Sequence, residues 1–347
     1  MTPAATSVVI VTHNSAELVA PVLDALFADP VHPAEVIVVD SASSDGTLEV
    51  LNGYDVTVLP QSENVGFARG CHIGARLATG DALVFLGHDT VPSRGWLTPL
   101  IDVLDDPEIG AAMATIEDAD RPGTFNTSGG HLTYFGIAWV SDLGRPIPPE
   151  EPGPVEVPFP SGAATAITRQ TWDEFGGFRE QFFMYHEDTD LGWRLRLGGK
   201  RVVRVPSSRV AHHYDFARSP TKMYYLERNR WVMLRSNYRR RTLALLYPAL
   251  LLVEVGITLT ARRDGWLSEK RRARADAATA SLAVAEGRAL VESTRVSGDA
   301  PILAAMGHSL SGIPQIRPPR GTIAVDFLLR LWQQLVLPLV RLADRFG

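Results

Sequence analysis

Cysteine is nearly absent: Cys71 is the single one in 347 residues. That excludes a disulfide framework and a cysteine-based zinc site, and it fits a reducing compartment. Positive charge is not in excess either. The 34 Lys and Arg face 39 Asp and Glu, a net −5 with a pI near 6.0, so no nucleic-acid partner is expected. No basic stretch leads into an apolar one at Met1-Thr2-Pro3-Ala4-Ala5-Thr6, and no secretory leader is read there. No G-x-G-x-x-G follows the first β-like run, which removes the dinucleotide fingerprint and weakens any dehydrogenase reading. Internal repeats are missing too.

What is present is an ordinary globular composition, 45% hydrophobic and 21% charged. The length suits a large α/β domain or a domain with an appendage. The first third alternates strand and helix patterns. Strands are predicted at Ser7–Thr12, Glu35–Val39, Val56–Leu59 and Ala82–Leu86. Helices are predicted at Ala16–Phe27, Asn64–Ala78 and Pro92–Leu104. Such alternation means a parallel sheet with helices on its faces, and a ligand beyond the C-terminal strand ends. Residues 117–160, rich in Gly and Pro, read as loops around a substrate cleft rather than as more sheet. Order returns from Ser161 to Val210.

Polar residues gather at the predicted strand ends. Asp40 closes the second strand, where a carboxylate can accept hydrogen bonds from a nucleoside; Asp45 is explained by helix capping. In Asn64-Val65-Gly66-Phe67-Ala68-Arg69-Gly70, Gly66 allows close backbone approach and Arg69 could meet a phosphate, although such a run is more often just a turn. His88-Asp89 follows the fourth strand; Asp89 either holds a hard cation or caps the next helix. In Glu187-Asp188-Thr189-Asp190, acids crowd a helix start, where the dipole favours them, and mutual repulsion raises at least one pKa. A carboxylate so tuned can take a proton from a hydroxyl. His212-His213 lies after the β-like Arg201–Val205, where a metal ligand is plausible.

Together, Val8 to Asn14, Val38 to Thr47, Asn64 to Gly70, Phe183 to Asp190 and Tyr224 to Arg230 resemble the inverting glycosyltransferases of family 2, in order from about residue 7 to 240. Within that family the likeness is to bacterial enzymes that add rhamnose or a related hexose to envelope glycans or their lipid-linked precursors. The resemblance implies the A-type glycosyltransferase fold, an α/β class with a mixed, mostly parallel nucleotide-sugar-binding sheet flanked by helices. It implies a catalytic domain over 1–240, with a donor half of about 1–115 and an acceptor half of about 116–240, and a helical appendage over 241–347. Asp188 would be the general base. Thr12, His13, Asn14, Asp40, Asn64, Gly66, Arg69, His88 and Asp89 would bind a UDP or dTDP sugar. Glu187, Asp190, Trp193 and Arg194 would touch acceptor or diphosphate, and Asp89 with His212 would hold Mg2+ or Mn2+. Gly87 stands where the family's metal motif has its first acid.

The acceptor expected from this likeness is a glycan or a polyprenyl-linked glycan, on the cytoplasmic, inner face of the cell membrane. Thr242–Ala261 is apolar but broken by Pro248 and Glu254, and its run Leu243–Val253 is shorter than the roughly 20 residues of a spanning helix. Arginines flank it on both sides, which fits a helix lying in the headgroup plane better than one that spans. Residues 322–345 form a second amphipathic candidate; for both, an internal hairpin or a homo-oligomer surface is the other reading. The rivals for function are a non-catalytic nucleotide-sugar-binding protein, a nucleotidyltransferase on a similar sheet, and an interaction scaffold. The nucleotidyltransferase lacks its Gly-rich basic signature at Thr12-His13-Asn14-Ser15-Ala16-Glu17, and acids at strand ends disfavour the scaffold.

Overall fold

The structure, a computed structural model, describes residues 5–214, 219–311 and 321–345; residues 1–4, on which the leader reading rests, lie outside them. The chain forms two compact units. The first comprises residues 1–130, 140–195 and 200–215, and the second residues 131–139, 196–199 and 216–347. The division therefore falls before residue 220 rather than at 240, because the helix that starts at Pro220 packs on later helices.

The first unit alternates as its apolar pattern requires. β1 (Thr6–Thr12), α1 (Ala16–Ala28), β2 (Glu35–Asp40), α2 (Thr47–Leu51), β3 (Thr57–Pro60), α3 (Gly66–Leu77) and β4 (Ala82–Gly87) follow one another. β1 is buried along all its length, as a central parallel strand covered on both faces must be. Next come β5 (Thr90–Pro92), α4 (Leu97–Asp102) and the long β6 (Ile109–Asp118). The helix expected from Pro92 thus starts five residues later, with Trp96 at its N-cap, so capping no longer accounts for Asp89.

The stretch 117–160 holds more strand than its Gly and Pro content predicts: β7 (Phe125–Thr127), β8 (Gly130–Leu132), β9 (Ala138–Val140) and β10 (Val155–Glu156). They are too short, at two or three residues, to show an alternating pattern. β11 (Ala164–Thr168), α5 (Arg169–Phe175), α6 (Glu187–Leu197) and β12 (Arg201–His212) complete the series. β12 runs seven residues beyond the predicted Arg201–Val205 because it carries a bulge between Val205 and Arg209, where its alternation breaks.

The sheet order is β10-β12-β6-β11-β4-β1-β2-β3, with β5 on β12 and β7 on β6. β3, β2, β1 and β4 are parallel, as are β6 and β12, while β11 runs antiparallel between β4 and β6. It is the mixed, mostly parallel sheet with flanking helices that the family resemblance implies. Val8, Val9, Ile10, Val38 and Phe85 are among the side chains fully buried between the layers.

The second unit is helical: α7 (Pro220–Asn237), α8 (Arg240–Arg263), α9 (Leu267–Thr279), α10 (Ser281–Thr294), α11 (Asp299–Ala305) and α12 (Thr322–Asp344). α8 passes through Pro248 without breaking. Buried ions order it: Glu227 accepts from Arg230 at 3.0 Å and from Lys270 at 2.8 Å.

Candidate active site

The ends of β1 and β2 carry an interlocked pair of loops. Thr12 and Asp40 are register partners, and the Thr12 hydroxyl donates to Asp40 Oδ1 at 3.0 Å. Ser43 adds its backbone N–H and its hydroxyl to the same carboxylate at 3.0 and 2.5 Å. Asp40 is therefore buried and serves to fold its own turn, and Thr12 lies fully buried beneath it rather than lining a pocket. His13 and Asn14 are exposed. His13 Nδ1 meets the Ser41 carbonyl at 2.7 Å, and Asn14 Oδ1 accepts from the Ser44 N–H at 2.8 Å.

Ser41 links this turn to α3. Its hydroxyl donates to Asn64 Oδ1 at 3.0 Å and accepts the Val65 N–H at 2.8 Å. Gly66, at φ 75°, has no space for a side chain: a Cβ would stand 2.5 Å from the Phe183 ring. The close approach predicted for this glycine is thus to Phe183. Arg69 is half exposed and lies 3.5 Å from Glu63 and 3.9 Å from Glu180, so acids already neutralise it.

Asp89 and His212 come together where β5 pairs with the end of β12. His212 Nε2 is 3.4 Å from Asp89 Oδ1, and the His213 N–H donates to the Asp89 carbonyl. Although burial opposes it, hydrogen bonding and charge from His212 hold the Asp89 carboxyl below its ordinary range. His88 Nδ1 faces the Val11 carbonyl at 3.1 Å. Gly87 has a structural cause: a Cβ would lie 2.6 Å from Thr90 Oγ1 and 2.8 Å from Asp89 Oδ1. No acid fits there without displacing Asp89. Among the described residues, no three of His, Cys, Asp or Glu gather as a metal cluster.

The acids of α6 separate into three environments. Asp188 is half-buried. Its Oδ1 accepts from the Thr189 N–H at 2.6 Å and hydroxyl at 3.1 Å, and its Oδ2 from the Gly162 N–H at 3.3 Å. Burial nevertheless raises its pKa. The neighbouring Ala163 carbonyl accepts the Gly87 N–H, so the loop that holds Asp188 is also tied to the end of β4. Tyr214 completes the link. It hydrogen-bonds Tyr185, its ring centroid is 5.1 Å from that of His212, and burial first, then Tyr185 and the charges of Asp89 and Asp188, raise its phenol. Asp188 and the Asp89–His212 pair thus both lie within electrostatic reach of Tyr214. Nothing in the local sequence points to Tyr185, Tyr214 or Gly162 in this role, since each is ordinary in its context.

Glu187 turns inward. It is 6% exposed and one carboxyl oxygen makes no hydrogen bond among the described residues. Burial, and then the charge of Asp188, push its pKa well above the ordinary value. The folded state thus keeps a proton that the unfolded chain loses above about pH 4.5, so this group's contribution to stability falls as pH rises. Glu187→Gln should melt higher than the parent at pH 8, by about 1–3 kcal/mol of stability, the scale of an unsatisfied buried polar group. The two proteins should melt alike near pH 4; equal melting at both values would remove the buried-acid assignment.

Asp190 and Arg194 are also inside, each at most 1% exposed. Asp190 Oδ2 lies 2.8 Å from Arg194 Nε and 3.0 Å from Arg179 Nε, and Arg194 donates further to the Phe175 and Gly177 carbonyls. Trp193 is 1% exposed. The four residues expected to touch acceptor or diphosphate, Glu187, Asp190, Trp193 and Arg194, are thus all buried. Just before α6, Phe183, Tyr185 and His186 hold φ of 65, 65 and 68°, a left-handed backbone that persists only where the surroundings impose it. The loops of 117–160 line a different cleft of about 470 Å³, walled by Phe125, Asp142, Glu151 and Arg204; none of the residues expected to carry chemistry lines it.

Residues 7–170 match the family described as "Glycosyl transferase family 2". Over 232 residues the chain is 31% identical to the N-acetylglucosaminyl-diphospho-decaprenol L-rhamnosyltransferase of Mycobacterium tuberculosis, covering 59% of this chain and 75% of that enzyme. Among solved structures, GalNAc-T7 with UDP, GalNAc and Mn2+ superposes with a TM-score of 0.57 at 19% identity, over 71% of this chain and 50% of that one. TarS 1-349 of S. aureus in complex with UDP gives 0.51 at 16% identity, over 85% of this chain and 89% of that one. At these identities the structural likenesses speak for the fold.

Proposed function

As a member of glycosyltransferase family 2, this chain is an enzyme that uses a nucleotide sugar, and we propose that it moves rhamnose or a related hexose, with inversion, onto a hydroxyl of a polyprenyl-diphosphate-linked glycan. The observation that carries this reading is the half-buried Asp188, with its raised pKa, within electrostatic reach of the same Tyr214 that packs beside His212 of the Asp89–His212 pair. The mycobacterial relative, named for a rhamnosyl transfer to a decaprenol-linked sugar, supports the donor and acceptor class.

In the proposed reaction Asp188 takes the acceptor's hydroxyl proton while that oxygen attacks the anomeric carbon. The bond from that carbon to the diphosphate breaks on the opposite face, and inversion follows from the single displacement. In this reading the exposed His13, Asn14 and Asn64 line the nucleoside side, on the turn that Asp40 folds through Thr12 and Ser43. His88 and Arg69 flank the diphosphate. Asp89 and His212 would be the protein donors to a divalent cation, and two such donors suffice for one that binds together with substrate. Mg2+ or Mn2+ bound there would supply charge neutralisation to the departing diphosphate.

The test is a donor screen by mass spectrometry with dTDP- and UDP-sugars, an N-acetylglucosaminyl polyprenyl diphosphate acceptor, and NMR of the product's anomeric configuration. A product of retained configuration overturns the mechanism; nucleotide-sugar binding without turnover supports a non-catalytic binding protein instead. Asp89→Asn should raise the Mn2+ concentration needed for half-maximal turnover by about tenfold or more, the scale of one lost charge-assisted contact. An unchanged requirement would remove Asp89 from the metal.

A further inference from the structure

We propose that α8 and α12 form one platform that lies flat on the surface of an anionic phospholipid bilayer. Of the eighteen exposed large hydrophobic side chains among the described residues, twelve lie on these two helices. They make up a small part of the chain, so the enrichment is local. On α8 the exposed positions between the pairs Arg240-Arg241 and Arg262-Arg263 carry no charge, and they include Tyr247, Leu251, Val255 and Leu259. On α12, Ile323 and Phe327 are 81% and 66% exposed. The two helices run antiparallel and touch: Trp332 Nε1 donates to the Leu245 carbonyl at 3.1 Å, and Arg239 lies 3.5 Å from Asp344. Contiguous apolar surface of this kind marks an interaction site.

Both helices are long and apolar enough to cross a bilayer by composition, but the inward face of α8 forbids it. Glu254, in the middle of α8, accepts from Arg230 Nη2 at 2.8 Å and Lys270 Nζ at 2.5 Å, and Arg274 lies 3.4 Å away. A crossing α8 would carry this ionic cluster to mid-bilayer depth, where charge is costly. Laid flat, the same helix keeps its ions above the lipid and its leucines in it.

Charge selects lipid over a second copy. Residues 241–347 hold 14 Lys and Arg against 9 Asp and Glu, a local +5 in a chain of net −5. The remainder is correspondingly acidic and is repelled by anionic headgroups, while Arg262, Arg263, Arg271 and Arg272 are exposed to meet them. Pairing α8 with α8 of another molecule, in either direction, would set arginine pair against arginine pair.

The full chain is mixed with phosphatidylcholine vesicles with and without phosphatidylglycerol and floated at low and high salt. It should float with the phosphatidylglycerol vesicles at low salt and be largely released by high salt. Leu251→Glu with Leu335→Glu should cut the floated fraction about tenfold or more, while melting temperature and hydrolysis of a soluble nucleotide sugar stay those of the parent. Equal binding to neutral vesicles that resists salt and carbonate would mean a spanning anchor and would overturn the flat platform. So would absence of flotation together with a dimer in sedimentation that the same two substitutions disperse. Neither result bears on the donor screen, which uses detergent-dispersed acceptor.

Discussion

Asp188→Asn should turn over about 10²–10⁴-fold more slowly than the parent, the usual worth of a positioned general base, with the donor KM nearly unchanged. The substitution keeps the side chain's shape, and the amide oxygen can still accept from Thr189 or Gly162 as the carboxylate does. What it removes is the group able to take the acceptor's proton. Because burial raises the Asp188 pKa above the ordinary 3.8, the parent's kcat should fall at acidic pH along a limb set by that raised value: below it the base is protonated and idle. In Asp188→Asn this limb should vanish with the rate. A variant that loses only affinity for acceptor, or keeps its acidic limb, would show Asp188 to be a binding residue, and the proton would need another destination.

The neighbouring acids show how much of this was legible before coordinates. Alternation of β-branched runs with amphipathic segments predicted the parallel half of the sheet to within a residue or two, since each core strand reports burial on both faces. The crowding of Glu187, Asp188 and Asp190 also marks the segment that carries the proposed base. Which acid could meet a substrate was not legible. A helix turns by roughly 100° per residue, so three acids within four positions face three directions, and only the packing of Arg179, Gly162 and Tyr214 around them fixes which direction is open. For the same reason Trp193 and Arg194 looked available and are buried. Gly87 reads in sequence as a lost ligand, whereas the structure fills the space beside it with the Asp89 carboxylate and the Thr90 hydroxyl. The sequence pattern of β12 ends at Val205 because a bulge shifts the pleat there, and a period-two pattern cannot be followed across it. The boundary at 240 was placed by the change to apolar composition, although α7 packs with the helices that follow it.

Asp190→Ala should cost about 3–5 kcal/mol of stability, the penalty for removing one member of a buried ionic cluster. The carboxylate stands between two guanidinium groups that water hardly reaches, and burial already lowers the Arg179 pKa to about 10 despite the pull of Asp190. Without it, two like charges face each other in the interior, and the backbone carbonyls of Phe175 and Gly177 can hold Arg194 but cannot neutralise it. The strained residues Phe183, Tyr185 and His186 lie between the two arginine anchors in sequence, so their left-handed backbone should relax as the cluster loosens. Urea unfolding should therefore show a lower midpoint with little change in slope. Turnover should also drop, because the Glu187–Asp188 turn no longer starts from a fixed backbone. Replacing Arg179 and Arg194 by Met together with Asp190→Leu separates the two effects, since buried ion pairs can often be exchanged for apolar contacts without loss of stability. If stability returns and turnover does too, the cluster only holds the fold; if stability returns and kcat stays low while KM is normal, the cluster positions Asp188. An Asp190→Ala protein that unfolds at the parent's urea midpoint would mean that solvent already reaches the arginines and that the cluster is not closed.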